Sequence, residues 1–423
     1  MTLRWFISKT VRDALTVHKH YRRLLAAQRD ILSPPAIGAV TAALDNLSAA
    51  IAEGHTGRIN LKAEELQFAA EKWLKPYPHA AWRENVEVLL VALAVAMAIR
   101  TFFIQPFKIP TGSMQPTLFG VTSTPDFTKV NYWRDNKEKM QAEITEQFKA
   151  RDAIVIPPVW ARVKEWFEGV SYLRVVAEND GELQAVEAPV RLLIFNIKQT
   201  IWIGGQSQTI WFPPDFGEAP LPNRAGLRVH SDYSDGQLCR KGEELVKIKV
   251  ATGDHLFVDR MSFNFRKPTR GEIVVFETKG ITDPRMPQDQ FYIKRLVALP
   301  GEKVQIGNDR HLRINGQRLD ATTPHFEKVY GFDPKQAPRE SRFSGHVNGT
   351  VASNYGLYPN LAPLFPDEDT AFNNDTDSYM VMGDNTCNSF DSRAWGNFPA
   401  QNVIGKSFFV YWPLTARFGW GNR

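Results

Sequence analysis

Val88-Leu89-Leu90-Val91-Ala92-Leu93-Ala94-Val95-Ala96-Met97-Ala98-Ile99 carries no charge and no strong polar group, and beyond Arg100 the run resumes as Phe102, Phe103 and Ile104. Val88 to Ile104 is 17 residues, about 25 Å as a helix and close to the thickness of a bilayer core. The twelve-residue heart alone would suit a buried helix equally well. Trp82 and Arg83 at one end, and Phe102 and Phe103 at the other, can sit at membrane interfaces, while Arg100 can reach outward. The expectation is therefore one transmembrane helix over 86–104. Lys72, Lys75 and Arg83 precede it and only Arg100 and Lys108 follow closely, which predicts a cytoplasmic amino terminus and an external remainder.

The two sides of this run read differently. Residues 1–85 place Leu15, Tyr21, Leu24 and Leu25, then Leu44, Leu47 and Ile51, at helical spacings, with Pro34 and Pro35 between two helices. Arg4, Lys9, Arg12, Lys19, Arg22, Arg23 and Arg29 against Asp13 and Asp30 make a basic leader, and no apolar run there suits a secretory signal. After the span the chain reads as mostly β, with one helical interval at Tyr132–Arg151. Ser171–Glu178, Arg191–Gly204, Gly271–Glu277, Phe291–Leu299, Ser378–Met382 and Lys406–Trp412 are dense in β-branched and aromatic residues. Asp180-Gly181 and Asn315-Gly316 each lie between such runs, as hairpin turns do. Ile201-Trp202-Ile203 and Trp211-Phe212 read as core, and the acidic stretch Pro366–Ser378 as a solvated loop.

Composition narrows the function. The chain of 423 residues is 43% hydrophobic and 23% charged, a globular balance that excludes a disordered, collagen-like or polytopic membrane protein. A net charge of +5 gives no reason to expect nucleic acid. Cys239 and Cys387 are too few for a disulfide scaffold, and whether they pair is open. The nine histidines form no zinc pattern, and no phosphate loop, dinucleotide loop or Gly-x-Ser-x-Gly elbow occurs, so neither metal nor cofactor is expected.

Four stretches stand out. In Phe107-Lys108-Ile109-Pro110-Thr111-Gly112-Ser113-Met114-Gln115-Pro116-Thr117-Leu118 the prolines forbid a continuing helix, so an extended path is expected, and Gly112 clears space beside Ser113. Gly253-Asp254-His255-Leu256-Phe257-Val258-Asp259-Arg260 reads as a turn entering a strand. Tyr292-Ile293-Lys294-Arg295-Leu296-Val297 puts an ammonium inside an apolar strand, where burial lowers its pKa toward that of a general base; an edge-strand lysine is the plain alternative. Gly383-Asp384-Asn385-Thr386-Cys387-Asn388-Ser389-Phe390-Asp391-Ser392-Arg393 is either a self-capping loop or a polar shell around a buried amine.

In this order, and after a membrane span, the four stretches resemble the bacterial type I signal peptidases, the membrane-bound Ser/Lys endopeptidases. The resemblance implies a mainly β catalytic ectodomain with an accessory β domain. On it, Ser113 matches the nucleophile and Lys294 the general base; Thr111 and the Ser113 N–H match the oxyanion hole. Ser389 matches the hydroxyl that orients the lysine, Asp391 and Arg393 the supporting pair, and Arg295 the basic residue after the base. Ile109, Pro110, Met114, Tyr292 and Ile293 fall where the family lines shallow substrate pockets. Thr386 and Cys387 stand where relatives often carry Arg and Asp, so part of the loop's ion pairing is expected to be missing.

The expected division is 1–85 helical, 86–104 span, 105–120 serine segment, 121–250 a β-rich insertion, 251–304 core with the lysine, 305–377 accessory β domain, and 378–423 the rest of the core. The implied partners are preproteins carrying signal peptides cut after Ala-x-Ala, a phospholipid bilayer, and a protein bound through 121–250; the implied location is the bacterial inner membrane. A protease dedicated to one substrate, such as a pilin precursor, and an inactive membrane-anchored scaffold are the competing readings.

Overall fold

The computed structural model describes residues 8–75, 80–130, 137–192, 195–358 and 360–420. Arg4, the Tyr132–Asn136 start of the expected helix and the 193–194 step of the Arg191–Gly204 run lie outside them. The chain divides into two units, Met1–Ala94 and Val95–Arg423.

In the first unit three helices, Lys9–Gln28, Pro34–Glu53 and Thr56–Trp73, bury Val11, Ala14, Val40, Leu44, Leu47, Ile59 and Leu66 against one another. The prolines open the second helix rather than merely separating two, because a first-turn residue has no intrahelical N–H bond to lose. Leu15 leaves the expected stripe and is 36% exposed, since Val11 and Ala14 take the inward face. Gln28 ties the bundle to its exit: its Nε2 donates to Lys75 O at 2.9 Å and its Oε1 accepts from Lys75 N at 3.0 Å.

The helix Ala80–Phe102 is different in kind. Its segment Trp82–Phe102 reaches a mean hydropathy of 1.8 over an 18-residue stretch, none of which is buried, and 21 residues span about 32 Å. It is long and apolar enough to cross a bilayer. Pro34–Glu53 also passes on length and composition, with mean hydropathy 1.3 over an 18-residue stretch, but packs its inner face within the bundle. The span was expected to continue to Ile104; instead the helix stops at Phe102, and Ile104–Lys108 is a strand paired with His255–Asp259. Pro106 explains the stop, because the residue before a proline avoids the helical region.

The second unit is β. Its main sheet is antiparallel, with spatial order Ile104–Lys108, His255–Asp259, Val403–Trp412, Ile273–Glu277, Phe291–Ala298, Ser378–Met382, Phe398–Pro399, and Gly419–Trp420 beside Val403–Trp412. Both faces are covered. Ile273 and Val275 enter one core with Ile109, Met114 and Leu118, while Val274 and Phe276 enter another with Leu296, Trp395 and Phe398. A strand buried on both sides reads as a continuous apolar run, which is why Ile273–Glu277 shows no alternation.

A four-stranded sheet, Gln317–Arg318, Leu312–Ile314, Lys303–Ile306 and Ala371–Asn373, carries its own core around Phe326 and Phe365. Asn315-Gly316 is its hairpin turn, with φ of 52° and 84°, as a type I′ turn requires. Ala371–Asn373 falls inside the stretch expected to be only loop, where pairing with Lys303–Ile306 fixes it.

The insertion packs a three-stranded sheet (Thr122–Thr124, Glu244–Ala251, Val170–Val176) and a five-stranded one (Val190–Leu192, Phe195–Ile203, Gly181–Val186, Leu238–Cys239, with Gln206–Trp211 beside Phe195–Ile203) around Leu173, Leu183, Ile201, Ile203 and Ile248. Three expectations change here. Asp180-Gly181 joins strands of different sheets and makes no hairpin; the hairpin is at Gly204-Gly205, with φ of 57° and 79°. Two helices occur where one was expected, Lys137–Asp152 and Val159–Phe167. Trp202, Trp211 and Phe212 are exposed rather than core, at 36%, 63% and 71%, because the alternating isoleucines take the inner face. Cys239 and Cys387 are both free.

Candidate active site

Ser113 lies in a turn just past the first strand of the main sheet, not in an extended run. Thr117 N and Leu118 N fold back to Met114 O at 2.9 and 3.0 Å. Asp254 fastens both ends of this segment. Ile109 N donates to its carbonyl at 2.9 Å, Phe119 N donates to its Oδ2 at 2.8 Å, and its own N–H donates to Phe119 O at 2.7 Å. Arg417 Nε then donates to the carboxylate at 3.0 Å. Beneath the turn Ile109 and Met114, expected to line substrate pockets, are buried at 2% and 0% against Leu256, Val258 and Val410. Pro110, Tyr292 and Ile293 are half-buried.

Lys294 sits on an interior strand, opposite Val274, and is 4% exposed. The edge-strand reading is thereby excluded. Its Nζ is 2.8 Å from Ser113 Oγ, a hydrogen bond closed across 181 residues of sequence. Nζ also donates to Ile293 O at 3.3 Å and lies 5.4 Å from the Tyr292 ring. Burial pushes the Lys294 amine down to about 8, opposed by the charges of Asp391, Glu218 and Asp384. Such an amine is about half unprotonated one unit above neutrality, where an ordinary lysine is almost wholly protonated. Thr111 Oγ1 is 3.4 Å from Ser113 Oγ, and the Ser113 N–H has no acceptor among the described residues.

The loop after Ser378–Met382 closes over this pair. Asn385 donates twice into the serine turn, from N to Ser113 O at 3.0 Å and from Nδ2 to Gly112 O at 3.0 Å. Any side chain on Gly383 would collide with Ser113 O and with Ser389 Oγ, so only glycine lets the loop approach. Arg393, fully buried, forks onto Asp391 through Nε and Nη2, both at 2.9 Å, and Asp391 Oδ2 also accepts from Gly383 N at 2.9 Å. Burial alone would raise the Asp391 carboxyl; Arg393 and these donors hold it below the usual range. Ser389 Oγ is buried near Asp391 without a hydrogen-bond partner of good geometry among the described residues. Thr386, where an arginine was expected to be missed, accepts from Arg393 Nη1 at 2.7 Å and from Val347 N at 3.0 Å.

Arg295 turns to a second buried carboxylate. Its Nε and Nη2 meet Asp384 at 2.7 and 2.6 Å, its Nη1 reaches Gly271 O and His325 O, and Thr117 Oγ1 donates to Asp384 as well. Asp384, Asn385, Thr117 and Asp254 are thus positioning residues that the sequence reading quoted or passed without assigning. Their cue was polar residues beside buried strands, which does not say what each would hold. Among the described residues one trio has metal-ligand spacing, Glu182, His230 and Asp235 in the insertion, but Glu182 and His230 already bond each other at 2.8 Å.

The sequence profile of the family described as signal peptidase, peptidase S26 matches residues 82–158 and 246–412, more than half the chain. The chain belongs to this family. A signal peptidase I from Leptolyngbya laminosa is 31% identical over 167 residues, covering 39% of this chain and 64% of that protein. One from Pseudomonas fluorescens is 28% identical over 195 residues, covering 40% and 62%. The match thus spans less than two thirds of either relative. A solved signal peptidase I from Enterococcus faecalis V583 is 26% identical over 33% of this chain and 97% of its own, with a TM-score of 0.20. The S26 match breaks between 159 and 245, a narrower gap than the expected insertion, 121–250.

Proposed function

We propose that this chain is a membrane-anchored serine endopeptidase that removes signal peptides from exported preproteins, cutting after small residues of the Ala-x-Ala type. The observation that carries the reading is the 2.8 Å contact between Ser113 Oγ and a lysine amine pushed down to about 8. In the neutral form Nζ accepts the hydroxyl proton as Oγ attacks the scissile carbonyl. The oxyanion receives the Ser113 N–H and the Thr111 hydroxyl, and loss of one such donor typically costs about 10²–10³ in rate. The lysine then passes its proton to the departing amine, and a water, deprotonated by the same Nζ, releases the acyl group. Asp391, Arg393 and Arg295 hold the two strands and the loop in register, Ser389 is within the shell around the amine, and Pro110, Tyr292 and Ile293 offer the surface on which a substrate strand lies.

The helix Trp82–Phe102 would hold the enzyme in the bacterial inner membrane in a single pass, amino terminus inside. Substrates fixed in the same bilayer by their signal peptides meet the site at raised effective concentration. The test is cleavage of a preprotein by the full chain in detergent beside Ser113→Ala and Lys294→Ala. Each substitution is expected to lower kcat/KM by more than about 10³-fold; cleavage retained by either defeats the assignment.

A further inference from the structure

The family profile stops at residue 158, and the residues that follow form the helix Val159–Phe167. At about 100° per residue, Val159, Trp160, Val163, Trp166 and Phe167 share an arc of about 120°. In a globular helix that arc is the buried face. Here the five side chains are 47–76% exposed, and no residue of the helix is buried. The polar side turns inward instead: Glu165, on the opposite face, accepts from Tyr172 Oη at 2.6 Å. The helix is held in this orientation. Leu414 N donates to Phe167 O at 3.0 Å, and the Trp166 and Phe167 rings lie 4.9 and 6.2 Å from that of Trp412. Gly169, at φ 79°, follows, and a Cβ there would stand 2.6 Å from Thr252 and 2.8 Å from Pro413, so the chain leaves the helix pressed against the turn after Val403–Trp412.

A contiguous apolar face fixed outward marks a surface that something covers. Two observations select a lipid bilayer. The first is the rim: Arg162 and Lys164, both exposed, stand about 40° beyond the two edges of the arc, and no acidic residue lies on it. An arc of Trp, Phe and Val bordered by cations is the pattern of a helix lying in a membrane interface, with tryptophan at headgroup level and the long cations reaching lipid phosphates. The second is position. Lys108 pairs with His255 and His255 with Trp412, so Trp412 lies two strands across and four residues along from Ile104, just past the end of the apolar helix at Phe102. Strand spacings make that separation on the order of 17 Å. The outward face is thus close to the point where the chain leaves its span.

We propose that Val159–Phe167 lies in the headgroup region of the bilayer at which the span ends, a second membrane contact made by a segment outside the shared family region. The proposal rests on the membrane-anchored reading above and is independent of the cleavage chemistry. The test uses the full chain with Cys239→Ser and Cys387→Ser, reconstituted in vesicles of phosphatidylcholine and phosphatidylglycerol. One fluorophore at a time is attached through Val163→Cys, Tyr233→Cys or Leu93→Cys, with Trp160→Cys as a second position on the same face should Val163→Cys fail to fold. Tyr233, 97% exposed, is the water-facing reference, and Leu93 lies within the span. A nitroxide-bearing lipid is expected to quench the label at 163 about threefold more than that at 233, and aqueous iodide to do the reverse. A label at 163 that iodide reaches as freely as the one at 233 overturns the docking. So does one shielded from iodide but untouched by the lipid nitroxide, since a protein, a second copy included, would then cover the helix. If the lipid nitroxide does not reach the label at 93, the membrane-anchored reading itself is defeated, and the docking with it.

Discussion

The region matched to the family and the sandwich inserted within it both bury β-branched strands, but they treat charge differently. Around the serine turn Lys294, Arg295, Arg393, Asp384 and Asp391 are all at most 4% exposed. In the insertion the core of Leu173, Leu183, Ile201, Ile203 and Ile248 is apolar, and Arg224, 5% exposed, is its one deeply buried cation among the described residues. Taking an ion out of water costs several kcal/mol, and an apolar replacement is often as stable. A fold alone therefore has no use for the five buried charges. On the proposed reading they mark the place where protonation of one amine has to be controlled.

Breaking a buried pair should give the largest effect. Arg393→Met leaves Asp391 charged and unmatched, and an expected loss of about 3–5 kcal/mol in urea unfolding follows. Arg393→Met with Asp391→Leu should recover most of it, because the uncompensated charge is then gone. A loss that the double substitution does not recover would mean that packing, not charge, decides.

Lys294→Met works in the opposite direction. Burial pushes the folded amine down to about 8 against 10.5 for an ordinary lysine. Between those values the unfolded chain binds the proton and the folded one does not, so wild-type stability rises with pH through that window. Below it the cost of a buried ammonium is fully present. Lys294→Met should therefore be more stable at pH 7, by on the order of 2 kcal/mol, while losing activity. Equal stability at pH 7, or a wild type whose stability does not rise between pH 8 and 10.5 relative to the variant, would show that the amine is not desolvated.

The smallest effect belongs to the insertion's surface. Trp211→Ser removes a side chain that is 63% exposed and should change stability by less than about 0.5 kcal/mol. A larger loss measured in the same unfolding assay would show that the exposed aromatics are covered by something.

Legibility in the sequence follows the same division. Lys294 stands out in the sequence as an ammonium inside an apolar strand, whereas Ser113, Asp391 and Arg393 take their roles only from the family resemblance; the fold brings Lys294 to Ser113. Asp384 and Asp254 stood in the same quoted strings, yet their partners Arg295, Phe119 and Arg417 are remote, and spacing does not encode which remote group a carboxylate will meet. Asp180-Gly181 misled for a related reason: a turn dipeptide announces a change of direction, not which strand the chain pairs with afterwards. Trp202 and Trp211 read as core because size suggests burial, whereas on a strand the two faces are told apart only by what packs there. Ile109 and Met114, expected from the resemblance to line shallow pockets, are buried beneath the serine turn.

The measurement closest to the central claim is kcat/KM for a preprotein as a function of pH, with Lys294→Ala as the blank. A neutral amine acting as base predicts activity falling about tenfold per unit below an apparent pKa of about 8. A flat profile, a limb near the 10.5 of an ordinary lysine, or cleavage that survives without Lys294 would contradict it.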